Sequence, residues 1–118
     1  ERIYGQRPRF FRCPYGAGLN IAKIRRLIAD TGMIHVFWTV DSLDWQDRNP
    51  ASVHARVLKQ MNREKRGVIL FHDIHPQTIE ASRLLMNHSN SLKGTPQALR
   101  WVTLPQIVDE LNGRNDGN

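Results

Sequence analysis

The chain has a single cysteine, no long apolar run and a minority of acidic residues. Cys13 alone cannot form an internal disulfide or a cysteine metal cluster, and a lone thiol of this kind is ordinarily a small apolar filler. Nowhere do roughly 18 apolar residues follow one another, so no transmembrane helix is expected in this segment. A basic stretch leading into an apolar one, the mark of a secretory signal, is also missing. A segment cut from a longer precursor would lack one in any case. Internal repeats and low-complexity tracts are absent. The 17 Lys and Arg outnumber the 11 Asp and Glu, for a formal net charge of +6. Such a balance invites a nucleic acid or an acidic polymer as partner. The basic residues are dispersed, however, as Lys23-Arg25-Arg26, Lys59-Arg63-Lys65-Arg66, Arg83 and Lys93. No aromatic ladder alternates with them as a stacking platform requires. They read as solvated helix faces, and no nucleic-acid partner is expected.

What the chain does have is three short apolar runs, each ending in a polar cluster. Arg9-Phe10-Phe11 leads into Arg12-Cys13-Pro14-Tyr15-Gly16. His35-Val36-Phe37-Trp38-Thr39-Val40 leads into Asp41-Ser42-Leu43-Asp44-Trp45, and Gly67-Val68-Ile69-Leu70-Phe71 leads into His72-Asp73-Ile74-His75. Continuous rather than alternating apolar stretches mark parallel strands buried on both faces. Chemistry in α/β folds sits where such strands end at their carboxyl side.

Helical periods fill the gaps between the runs. A helix is expected from Leu19 to about Thr31, with Ile21, Ile24, Leu27 and Ile28 as its apolar stripe and Gly32 at its end. A second starts at Asn49-Pro50, a cap and first-turn pair, carries Val53, Val57, Leu58 and Met61 inward, and stops at Gly67. A third spans about 77–88, and a polar loop follows from Ser89 to Pro96. A last strand is expected near Arg100-Trp101-Val102-Thr103, then a short helix from Pro105 to Leu111. The architecture expected is therefore α/β, with four βα units in a parallel sheet. Four units are half of an eight-fold barrel, whose unpaired edges are costly unless something covers them. Although 118 residues fit one domain, the reading is part of a larger fold: residues 1–112 as a partial, distorted (β/α) barrel and 113–118 as a disordered tail.

Each cluster has a plain and a chemical reading. His72 stands at a strand end, as a rim histidine bonded to backbone or as a general acid or base. Asp44 either caps a turn together with Asp41 or meets His72 and fixes its tautomer. Strands 34–40 and 68–71 are consecutive parallel strands, which favours the meeting. Arg12 belongs to an ordinary β-turn or offers a guanidinium to a carboxylate, and the loop around Pro14 and Gly16 is able to aim an N–H at an oxyanion. His72 and His75 share metal-like spacing, but His75 precedes a proline and no third ligand is at hand. His35, His54 and His88 read as a strand residue and two helix-surface residues. Trp38, Trp45 and Trp101 read as packing.

The three clusters, in this order and spacing, resemble the last three motifs of the polysaccharide deacetylases, carbohydrate esterase family 4, also called the chitooligosaccharide deacetylase homology domain. Trp38-Thr39-Val40-Asp41-Ser42-Leu43-Asp44-Trp45 looks especially like the peptidoglycan and chitin-type members. The resemblance covers roughly residues 9–111. It implies a distorted (β/α) barrel and metal-dependent removal of acetyl groups from N-acetylated polysaccharide. By the same resemblance Arg12 orients a catalytic-base aspartate, the Tyr15 N–H donates to the oxyanion, Asp44 partners His72, and His72 protonates the leaving amine. Leu70, Trp38 and Trp45, with Pro14 beside them, line the acetyl pocket.

The family's first two motifs, which hold the base aspartate, a metal-binding aspartate and two metal-binding histidines, have no counterpart here. Neither a Thr-Phe-Asp-Asp run nor a His-x-x-x-His pair is present. The resemblance thus implies a zinc or other divalent ion whose ligands lie outside this chain, the amino-terminal half of the same barrel as partner, and an acetylated polysaccharide as substrate. This segment alone is expected to be inactive. A polymer of this sort places the protein outside the cell, in the periplasm or at the cell surface. A degenerate barrel that only binds glycan or a partner protein is the rival reading.

Overall fold

The computed structural model describes residues 5–18 and 20–116. Its elements run β1 (Phe10–Phe11), a 3₁₀ turn (Pro14–Gly16), α1 (Ala22–Asp30), β2 (Ile34–His35), β3 (Val40–Asp41), α2 (Pro50–Glu64), β4 (Ile69–Leu70), α3 (Pro76–Ser91) and α4 (Leu104–Asp116). This is an α/β alternation with parallel pairing. Two compact units divide it, the first ending at Ala81 and the second starting at Ser82.

In the first unit β1 lies beside β2, with Phe10 opposite Ile34 and Phe11 opposite His35. β3 lies beside β4, with Val40 opposite Ile69 and Asp41 opposite Leu70. The single strand expected over 34–40 is thus two short ones with different partners. The Val36 N–H still reaches the Phe11 carbonyl at 2.8 Å, whereas Thr39 and Val40 both donate to the Val68 carbonyl, at 3.0 and 3.1 Å. The switch falls at Phe37 and Trp38, whose rings stack with centroids 4.4 Å apart. An unbroken strand would send those neighbouring side chains to opposite faces.

Helix α1 packs on β2 and starts at Ala22; its expected start, Leu19, lies outside the described residues. Gly32 takes a left-handed conformation just past its end, φ +74°. Only part of the expected stripe is covered: Ile24 and Ile28 are half-buried, while Ile21 and Leu27 are exposed. Helix α2 packs on β3. Asn49 caps it, accepting from the Ala51 and Ser52 N–H groups at 3.0 and 3.2 Å, and Pro50 fills the first turn without wasting a donor. Val53 and Val57 are fully buried, and with Val40, Cys13 and Ala81 they form this unit's apolar core.

The end of α2 differs from expectation. Lys65, φ 64°, takes the left-handed cap position and donates to the Met61 carbonyl at 2.8 Å. Gly67 serves a different need. At φ +149° a Cβ there would lie 1.9 Å from Thr39 Oγ1, so glycine is required where the chain enters β4 against the segment before β3.

Helix α3 starts at Pro76 and continues through Ser91, past the expected end near 88. Arg100-Trp101-Val102-Thr103 is not a strand; no neighbouring strand among the described residues pairs with it. In this second unit the Trp101 indole donates to Ser89 Oγ at 2.8 Å instead. Thr103 and Gln106 form a reciprocal cap: the Thr103 N–H donates to Gln106 Oε1 at 2.8 Å, and the Gln106 N–H to Thr103 Oγ1 at 3.4 Å. The helix this cap opens outruns both its expected end at Leu111 and the expected start of a disordered tail at 113. Gly113 remains helical and does not turn left-handed, so α4 continues to Asp116. Gly117 and Asn118 lie outside the described residues.

Gly67→Ala is expected to lower stability by about 1–3 kcal/mol through backbone strain and the clash with Thr39. Adding Thr39→Ala should restore part of the loss. Urea midpoints of the two variants measure both effects, and an unmoved midpoint for Gly67→Ala would rule out the close approach.

Candidate functional site

Parallel pairing of β3 with β4 sets the ends of the two strands side by side, and the residues that follow them meet there. Asp44 is completely buried, at 0 % exposure. Its Oδ1 lies 2.7 Å from His72 Nδ1. Its Oδ2 accepts the His72 backbone N–H at 2.6 Å and the Thr78 hydroxyl, also at 2.6 Å. A buried carboxylate needs such partners, because desolvation of an uncompensated charge is severe. His72 is about a third exposed. With Nδ1 committed to the carboxylate, Nε2 is the nitrogen left to exchange a proton with whatever reaches the rim.

The loop that carries Asp44 is anchored by main-chain contacts. Ser42, fully buried, donates its hydroxyl to the Leu70 carbonyl at 2.7 Å. From α2, Gln60 Nε2 donates to the Asp41 carbonyl at 2.7 Å, and Gln60 Oε1 accepts the Asp41 N–H at 2.9 Å. Arg56 donates to the Ser42 carbonyl at 2.8 Å and pairs with Asp47 at 2.7 Å. From the first turn of α3, Gln77 Nε2 donates to the Asp44 carbonyl at 2.6 Å. Leu43 sits at φ 52°, an uncommon conformation for a side chain of its size and one this set of anchors holds in place.

Electrostatics follow from these contacts. Burial pushes the Asp44 carboxyl up, but the Thr78 hydroxyl, the His72 N–H and the His72 ring together bring it below its ordinary value. Asp47 is lowered to about 2 by the Ser52 hydroxyl, the Arg56 guanidinium and the Asn49 N–H.

Asp41 has the turn-capping role, accepting the Leu43 N–H at Oδ1, 3.1 Å, and the Trp38 indole N–H at Oδ2, 3.2 Å. Asp44 has the histidine. Arg12 lies over the Trp38 ring, 5.7 Å from its centroid, so the first and second clusters meet through that indole. A Cβ on Gly16 would come 3.1 Å from Trp38 Cη2, which brings the 3₁₀ turn onto the same ring. Arg12 makes no ion pair among the described residues. Tyr15 adopts φ 58° and is 97 % exposed. Pro14 and Trp45 are exposed as well, and Leu70 is half-buried on β4. Among the described residues no hydrogen bond or ring contact joins Pro14, Tyr15 or Trp45 to the Asp44–His72 pair.

No group of three or more His, Cys, Asp or Glu able to hold a metal ion occurs among the described residues. The His75 ring stands edge-on to His72 with centroids 6.3 Å apart, and no third ligand completes a site. The residues present therefore do not fit a zinc ion.

Sequence reasoning missed Thr78, Gln77, Arg56 and Gln60. For Thr78 a signal existed: Pro76 marks a first helical position, which places Thr78 in the first turn, close behind the strand end that carries His72.

No protein-family model matches the chain. It is 38 % identical over 87 residues to a peptidoglycan-N-acetylglucosamine deacetylase of Bacillus cereus, covering 67 % of this chain and 31 % of the relative. It is 33 % identical over 109 residues to the peptidoglycan-N-acetylmuramic acid deacetylase PdaC of Bacillus subtilis, covering 92 % and 21 %. The solved structure of PdaC aligns with a TM-score of 0.71 at 29 % identity, over 97 % of this chain and 50 % of that one. A polysaccharide deacetylase of Bacillus cereus aligns with a TM-score of 0.59 at 30 % identity, over 85 % and 51 %. The chain thus spans about half of the solved relatives and a third or less of these two curated ones.

Folding favours the ionised form of both lowered carboxyls. Their stabilisation is complete above the ordinary value of 3.8 and is lost as pH falls through the folded value, about 2 for Asp47. Melting temperatures taken from about pH 7 down to pH 2 should fall along this limb. Asp44→Asn should flatten it, and an equally steep limb in that variant would contradict the assignment.

Proposed function

We propose, since this chain belongs to the polysaccharide deacetylase family, that the protein carrying it is a metal-dependent hydrolase that removes acetyl groups from an N-acetylated polysaccharide. Peptidoglycan is the favoured substrate and chitin the second, because the relatives described above carry peptidoglycan in their names. The observation that carries the reading is the Asp44–His72 pair at the joined ends of β3 and β4.

Hydrolysis of an acetamide adds water to the acetyl carbon and breaks the C–N bond, and the departing amine must take up a proton. Protonated at Nε2, with Nδ1 bound to a buried carboxylate, His72 is suited to deliver it. Asp44 stabilises the imidazolium that must form before the transfer. The Tyr15 N–H is the proposed donor to the tetrahedral oxyanion, a contact typically worth about 3 kcal/mol; its left-handed backbone in the turn after β1 supports this. Arg12, stacked on Trp38, would orient the carboxylate that takes the proton from water. Leu70, Trp38 and Trp45, with Pro14, would receive the acetyl methyl.

The base, the zinc or other divalent ion and its ligands would come from outside this chain, in the other half of a distorted (β/α) barrel. The surfaces left open support such a partner: Ile74 is 80 % and Ile79 67 % exposed, more apolar surface than a finished domain usually shows. A cell-wall polymer as substrate would place the protein outside the cell, in the periplasm or at the cell surface.

In the full-length protein, His72→Ala is expected to reduce acetate release from N-acetylated glycan by about 10²–10⁴-fold while the protein stays folded, with a lowered melting temperature because the buried Asp44 Oδ1 loses its ring partner. Undiminished release would exclude the acid role. Titration of the 118-residue chain with zinc should show no stoichiometric submicromolar binding, and such binding would overturn the placement of the ligands elsewhere.

A further inference from the structure

We propose that Thr78 is a positioning residue whose hydroxyl, together with the His72 backbone N–H, fixes the orientation of the Asp44 carboxylate toward the His72 ring. The inference rests on the deacetylase reading for its catalytic meaning, but the geometry stands without it.

A carboxylate held only by the imidazole would be free to turn about its Cβ–Cγ bond. Here Oδ2 is fixed by two donors at 2.6 Å, the Thr78 hydroxyl and the His72 N–H. Oδ1 is thereby turned to Nδ1 at 2.7 Å. Neither of the donors on Oδ2 titrates. The carboxylate therefore keeps its orientation while the ring gains and loses its proton, which an acid used once in every turnover requires.

The chain path explains how Thr78 arrives there. The His75 N–H donates to the His72 carbonyl at 3.4 Å and the Thr78 N–H to the His75 carbonyl at 3.0 Å. Two successive turns thus fold residues 72–78 back, and both donors to Oδ2 come from the segment that supplies the histidine. Thr78 is not serving as a helix cap. A capping hydroxyl accepts from the backbone, whereas this one, only 3 % exposed, donates to a buried charge. Thr78 also lies in the first turn of α3, where a helix favours a nearby anion.

The test uses the full-length protein with Thr78→Val, which keeps the shape and removes the donor, and Thr78→Ser, which keeps the donor. NMR reads the Asp44 carboxyl titration and the His72 Nδ1–H resonance, and the pH profile of kcat/KM on an N-acetylated glucosamine oligomer reads the consequence. In Thr78→Val the Asp44 titration should rise by about one pH unit, the Nδ1–H signal should broaden, and the acid limb of kcat/KM should move up with it. Thr78→Ser should match the parent in all three. An Asp44 titration and Nδ1–H signal unmoved by Thr78→Val would overturn the proposal even with the parent fully active. An inactive parent whose Asp44 responds to Thr78→Val would sink the deacetylase reading and leave the positioning role standing. Should Thr78→Val fail to fold, Thr78→Ser decides: a parent-like titration supports the role, and a raised one overturns it.

Discussion

A fully buried carboxylate is the constraint around which the first unit is organised. Asp44 has no access to water, so every donor it needs must be delivered by the fold, and each delivery fixes a piece of chain. The His72 N–H fixes the end of β4. The Thr78 hydroxyl fixes the first turn of α3, and the imidazole fixes itself. Parallel pairing of β3 with β4 brings the two strand ends within reach, and the short segment between His72 and Pro76 lets the chain turn back. The same three bonds that make burial of the charge tolerable also fix the His72 ring against it, the geometry on which the proposed chemistry relies.

A second tier of contacts keeps the carboxylate where it is. Helix α2 is amphipathic in an unusual sense. One side buries Val53 and Val57, and Arg56 and Gln60 reach up to the rim loop. Arg56 is itself steadied by Asp47, which Ser52 and the Asn49 N–H hold in place. The helix cap at Asn49, the Asp47–Arg56 pair and the rim loop therefore form one connected set of polar contacts.

How much of this was legible in the sequence follows from the kind of signal each part leaves. The apolar runs ending in Arg12, Asp44 and His72 were readable, because a strand buried on both faces has a plain composition and its end is marked by the change to polar residues. The caps at Asn49 and Gly32 were readable because they depend on neighbours in the chain. The break between β2 and β3 was not, since residues 34–40 read as one uninterrupted apolar run and the stacking of Phe37 on Trp38 appears only in three dimensions. Gly67 looked like a helix stop, but its requirement comes from Thr39, 28 positions earlier. Thr78, Arg56 and Gln60 follow no period that separates them from other polar residues on helix surfaces. The segment Arg100–Thr103 has strand composition and, among the described residues, lacks the neighbour that would make it one.

The contacts from α2 and α3 to the rim loop have one feature in common: most grip main-chain atoms. The Asp41 N–H and carbonyl, the Ser42 carbonyl and the Asp44 carbonyl are all held irrespective of the side chains those residues carry. The Trp45 side chain, beyond these anchors and exposed, has no part in those contacts. Substitution at Trp45 would change the texture of the rim surface while the backbone beneath stays put. A scaffold of that kind separates the part of the rim that is fixed from the part that is free to vary.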